Sequence, residues 1–104
     1  MRHVKLGLSL LMLAGSSGSL FAADPDKGET LAKRWCTSCH VVSEEQRKGT
    51  DLAPSFASIA ERPGFDEHKL GTFLLEPHPK MANMALSVED TKDLASYIAL
   101  QKKP

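Results

Sequence analysis

Cys36-Thr37-Ser38-Cys39-His40 is the stretch on which the reading of this chain turns. Two thiols with two residues between them, near the end of a helical turn, can each bond to the same flat partner. A histidine directly after the second thiol is then held beneath the centre of that partner. Three simpler chemistries compete for the pair. A thioredoxin-like redox dithiol uses C-x-x-C inside a βαβ unit, and the chain offers no convincing strand and too little length for one. A zinc site needs a second pair of ligands; only His68 and His78 remain for it, and neither has a partner at metal-ligand spacing. A disulfide across two residues closes a loop too small to stabilise much. Covalent haem attachment, for which C-x-x-C-H is the signature, uses both thiols and the histidine. Each thiol adds to one vinyl group of one porphyrin, and His40 supplies an imidazole to the iron. A thioether is not reduced by thiol exchange, so the cofactor cannot leave.

Upstream, Met1-Arg2-His3-Val4-Lys5 makes a short basic head, Leu6 to Ala14 an apolar stretch, and Gly15 to Ala23 a small-residue exit. A secretory leader has that order. The apolar part is about half the roughly 18 residues that a spanning helix needs, so no stable membrane span is expected. Residues 1–22 are read as a signal peptide, cleaved after Ala22 or Ala23, and residues 23–104 as one domain. No cysteine lies near the exit, so lipidation is not indicated. Without Arg2 and Lys5 the domain carries 11 basic and 13 acidic residues. Nucleic-acid binding calls for a strongly basic face and is excluded.

Four short helices and no strand are expected. Asp24-Pro25 reads as an N-cap followed by proline at the first helical position, with Leu31 and Trp35 on one face up to the first cysteine. Pro54 to Arg62 reads as a second helix, stopped by Pro63-Gly64. Asp66 caps a third, in which Leu70, Phe73 and Leu74 share a face before Pro77. Ser87 and Asp90 form a variant capping box for a fourth, with Thr91, Leu94, Ala95 and Ile98 on one weakly apolar face. Residues 41–53 and 77–85 are irregular. Such helices enclose a thin core, and domains this small often need a cofactor or a staple. Trp35 is assigned to that core, the alternative being an indole N–H that donates to a haem propionate.

On these residues the chain resembles the class I cytochromes c, in particular the small bacterial ones. The attachment motif lies near the start of the domain, as in that class, and not near its end, as in the cytochromes c-prime. Gly28 and Leu31 resemble the family's first helix, and Leu94, Tyr97 and Ile98 its last. The resemblance implies an all-α fold, four short helices around one covalent haem c. It implies that the first and last helices cross with a glycine between them and an aromatic ring packed over it. Pro54 falls where the family has a proline whose carbonyl accepts the Nδ1 proton of the ligand histidine, a bond that orients the ring and keeps it basic toward iron.

The other face of the iron needs a ligand from the second half of the chain, and His68, His78, Met81 and Met84 are the candidates. The family's usual ligand is a methionine six residues before the serine that caps the last helix. Met81 stands at that distance from Ser87, with Ala82 where proline is common; Met84 is the fallback. The expected axial ligands are therefore His40 and Met81. Both methionines could instead fill apolar gaps, the residue's common role, although they sit in a proline-bounded loop and not on a helix face.

With both axial positions filled, no substrate reaches the metal. No nucleophile or acid–base pair argues for an enzyme. The resemblance implies a monomeric periplasmic electron carrier. Its donor is expected to be a dehydrogenase or a quinol-oxidising complex, and its acceptor an oxidase, reductase or peroxidase. Two alternatives stand beside it: a haem protein that binds a gas or ligand at a weak or open sixth position, and a fixed subunit of a larger redox enzyme.

Overall fold

Each helix begins where a side chain can accept the unpaired N–H groups of its first turn. The computed structural model describes residue 7, residues 22–76 and residues 81–104. Apart from Gly7 and Ala22, the leader read in residues 1–22 lies outside the described residues, as does His78 with its flanking prolines. Helix α1 spans Pro25–Trp35, and the Asp24 carboxylate accepts from the N–H groups of Asp26 and Lys27. Helix α2 spans Phe56–Ala60 and helix α3 Glu67–Leu75, the latter capped by Asp66. Helix α4 spans Val88–Ala99; Ser87 and Asp90 cap it reciprocally, at 3.0 and 3.1 Å. Among the described residues there is no strand, and the fold is all-α as expected.

The second helix is shorter than the Pro54–Arg62 stretch anticipated for it. Ser55 is its N-cap, accepting the Ser58 N–H at 3.1 Å, so helical backbone starts only at Phe56. At the other end Arg62 N–H bonds the Ile59 carbonyl at 3.2 Å, and the chain leaves through Gly64 with φ at +75°.

Helix α4 is the element that α1, α2 and α3 all pack against. Its contact with α1 is close because residue 28 has no side chain. A Cβ there would overlap the Asp93 carbonyl and lie 2.8 Å from Tyr97 Cβ. The same crossing is tied by polar bonds. The buried Asp93 carboxylate accepts the Asp24 N–H at 2.7 Å, and the Tyr97 hydroxyl donates to the Val42 carbonyl at 2.8 Å. The crossing of first and last helices over a glycine, with Tyr97 against it, matches the expectation.

The apolar core is Ala32, Val42, Phe56, Ala60, Leu94, Tyr97 and Ile98. Trp35 is not among them. It is 45% exposed, with the Arg34 guanidinium 4.8 Å from its ring centre. The core assignment from sequence is thus corrected: the last turn of α1 points Trp35 past the α1–α4 contact, toward the cavity described below.

Two glycines offer a direct check of this packing. Gly28→Ala must push two backbones apart, and an overpacked site of this kind costs about 1–3 kcal/mol. Gly71 is also buried, but a Cβ there would meet nothing nearer than 3.7 Å. Gly71→Ala is therefore expected to be neutral or to gain up to about 1 kcal/mol of helix propensity. The guanidinium unfolding midpoint should fall in Gly28→Ala and stay at or above the parent's in Gly71→Ala.

Candidate functional site

One cavity of about 600 Å³ opens between the end of α1, the loop before α2, helix α3 and the chain leading into α4. That volume suits a sizeable ligand. Cys36, Cys39, His40 and Pro54 lie on its wall, and so do Met81 and Met84. Every site residue anticipated from sequence is thus gathered at one place, apart from the rejected candidates. His68 is exposed and lines a separate surface groove beside Pro63 and Ala99.

Most of the remaining lining is apolar, with Trp35, Leu52, Phe56, Leu70, Phe73 and Leu94 among its large side chains. Leu52 is 91% exposed and Phe73 52% exposed, although large apolar side chains ordinarily go inside. Their exposure is toward a space that a large apolar body would fill. Arg62 and Lys69 also line the cavity, while among the described residues no carboxylate does. An apolar ring system carrying acidic substituents fits that combination, and haem has this chemistry.

The motif forms the turn that ends α1. Cys36 N–H bonds the Ala32 carbonyl at 2.9 Å, and the N–H groups of Cys39 and His40 return to the Cys36 carbonyl at 3.1 and 2.8 Å. The two sulfurs are not bonded to each other; Cys36 is half-buried and Cys39 exposed. Burial, with a contribution from Cys39, pushes the Cys36 thiol up to about 11. The thioredoxin-like alternative needs a βαβ unit, and among the described residues there is no strand.

His40 is held at its ring. Its Nδ1 lies 2.6 Å from the Pro54 carbonyl oxygen. A carbonyl can only accept, so Nδ1 carries the proton and Nε2 keeps a free lone pair. The ring also rests 5.5 Å, centre to centre, from that of Phe56. Residues 41–53 lead from the histidine to that proline and fold back against the motif. Thr50 N–H bonds the Cys39 carbonyl at 2.8 Å. Gly49 passes so close that a Cβ would sit 2.7 Å from the Cys39 carbonyl oxygen.

Gly49 and Gln46 were not singled out from sequence. Gln46 bonds four backbone groups of the motif and its loop, from Thr37 to Lys48. A lone glutamine in a polar stretch carries no periodic signal. The glycine three residues beyond it was the single available hint of a close backbone approach.

Across the cavity, Met81 and Met84 are half-buried in the irregular chain before Ser87. Ala85 has φ at +50°, an uncommon conformation for a residue with a Cβ, and its N–H is accepted by Asn83 Oδ1 at 3.0 Å.

The family model for cytochrome c matches residues 25–102. Cytochrome c-552 of Bradyrhizobium diazoefficiens is 52% identical over 96 residues, which cover 92% of this chain and 92% of that protein. No solved structure gives a significant match. The gathered thiols, imidazole and apolar cavity agree with that family match, and the chain belongs to the class I cytochromes c, mono-haem electron carriers with haem c bound covalently.

Proposed function

We propose that this protein is a diffusible periplasmic electron carrier, exported by residues 1–22 and released by cleavage after Ala22 or Ala23. Cys36 and Cys39 form the two thioethers, and His40 and Met81 are the axial ligands of the iron, with Met84 the fallback. The observation that carries this is that two thiols, an oriented imidazole and methionine side chains line one cavity. When bound, haem supplies a one-electron couple, and a sulfur ligand raises its potential relative to two histidines.

The chain's own residues hold and shield. Pro54 keeps Nδ1 protonated and the ring pointed into the cavity. Leu94 and Ile98 of α4, with Phe56 and Leu70, keep water from the buried side. With both axial positions filled there is no place for a substrate on the metal, and the protein is not an enzyme. Electrons enter and leave through the exposed edge, from a dehydrogenase or quinol-oxidising complex to an oxidase, reductase or peroxidase. Among the described residues no helix is long and apolar enough to cross a membrane.

The attachment and export readings share one measurement. The intact mass of the exported protein should equal the chain from residue 23 or 24 plus one haem, and the colour should survive acid–acetone extraction. Loss of colour to the solvent would sink covalent attachment.

Removing both attachment points tests how far the cofactor is the core. Cys36→Ala combined with Cys39→Ala should leave little stable helix by circular dichroism, because a domain this small has few buried apolar side chains of its own. A cooperative melt near that of the haem-loaded protein would contradict this.

The sixth ligand is read from the weak red charge-transfer band that methionine sulfur gives on ferric haem. The band is expected in the parent and in Met84→Leu and should vanish in Met81→Leu, a change that keeps side-chain volume roughly constant. The opposite pattern would move the ligand to Met84 and leave the carrier function standing. Carbon monoxide binding by the reduced parent, with neither variant altering the spectrum, would favour ligand sensing.

A further inference from the structure

Gln46 sits half-buried behind the attachment motif, and both ends of its amide are engaged by backbone. Oε1 accepts the Val42 N–H at 2.9 Å. Nε2 lies 3.0 Å from the Thr37 carbonyl, 2.7 Å from that of His40 and 2.8 Å from that of Lys48. An amide nitrogen has two hydrogens, so the three carbonyls share them. Thr37 and His40 belong to the motif; Val42 and Lys48 belong to the loop that runs on to Pro54. One side chain therefore ties the backbone of the histidine to the segment that delivers its hydrogen-bond acceptor.

We propose that Gln46 is a positioning residue for His40. It holds the His40 carbonyl from behind, which fixes the direction in which the imidazole leaves the main chain. Through Lys48 it also holds the loop whose far end carries the Pro54 carbonyl, 2.6 Å from Nδ1. The inference rests on His40 as the iron ligand. Its energetic route is the Nδ1–H bond: a firm bond makes Nε2 more basic, and a basic ligand favours ferric iron. Loosening the loop weakens that bond without touching the ring.

Two substitutions remove the clamp differently. Gln46→Met keeps the length and removes every hydrogen bond. Gln46→Glu keeps an acceptor for Val42 but turns an oxygen toward three carbonyls. Should Gln46→Met yield no haem-loaded protein, Gln46→Glu carries the comparison alone. Asp66→Ala, which removes the cap accepting the Lys69 N–H at 2.8 Å on α3, lowers stability elsewhere and serves as the control.

Solvent exchange of the His40 Nδ1 proton, followed by NMR in the haem-loaded protein, and the midpoint potential are the readouts. Both Gln46 variants should speed that exchange by about tenfold or more, the scale of one weakened hydrogen bond. Gln46→Met, which leaves the charge unchanged, should raise the potential. Gln46→Glu and Asp66→Ala alter the charge and so shift the potential independently, and for them the exchange rate is the readout, raised in the first and parental in the second. Gln46 variants that lose stability yet keep the parental exchange rate, with the parental potential in Gln46→Met, would overturn the proposal and leave Gln46 a loop stabiliser. A parent protein with no iron-shifted imidazole resonances would overturn ligation by His40 itself, so the two failures are told apart.

Discussion

Eight buried apolar side chains, three of them alanine, are what this chain's described residues can place out of water by themselves. Four helices cannot be held by so little, because the conformational entropy of ordering a domain is large and small domains bury a modest share of their surface. The remaining large side chains converge on the cavity. Phe65, Leu70 and Leu74 are half-buried there, and Trp35, Leu52 and Phe73 are exposed to it. The haem of this family is thus a structural necessity before it is a redox centre. Covalent attachment follows from the same shortage: a body that completes the core must not dissociate. Helix α4 has to be present for the cavity to close, which explains why the tightest backbone approach, at Gly28, lies in its contact with α1.

A consequence is that the two sides of the cavity are built differently. On the histidine side the loop ties three carbonyls of the motif besides the one its own turn uses. Thr50 takes that of Cys39, and Gln46 reaches those of Thr37 and His40. The Val41 carbonyl accepts the Phe56 N–H at 2.9 Å, which joins the same loop to the first residue of α2. Buried backbone groups need partners. In an irregular segment those partners come from side chains and from the returning loop, since no helix ladder is available. The short α2 is part of this arrangement, because the chain at Pro54 must present its carbonyl to the imidazole before it can turn helical at Phe56.

The amino-acid sequence carried the parts of this design that obey local rules. Asp24, Asp66 and the Ser87–Asp90 pair cap the helices they were read to cap, since an accepting oxygen at a helix start acts within four residues. The motif named its own chemistry through spacing alone, and Gly28 and Tyr97 were placed by family resemblance. What stayed hidden acts over distance or through irregular backbone. The bond from Asp93 to Asp24 joins residues at opposite ends of the domain. Gln46 acts on backbone groups up to nine positions away. Trp35 was misassigned because i, i+4 spacing with Leu31 says that two residues share a face. It does not say whether protein or cofactor covers the far end of that face.

The methionine side lacks the backbone clamp. Among the described residues between Met81 and Leu86, the hydrogen bond present is the one from Ala85 N–H to Asn83. A φ of +50° at Ala85 costs free energy that surrounding structure must offset, and few contacts there are polar. The proposed sulfur ligand would itself be what fastens this loop to the rest of the fold. A methionine sulfur holding the iron would have two effects at once: it would raise the potential and fasten the loop. Without it the loop would lose that tie, whereas His40 keeps its own hydrogen bond to Pro54. The difference between a carrier and a ligand-binding haem protein on this fold therefore lies in residues 81–86 and not in the attachment motif, which serves either equally well.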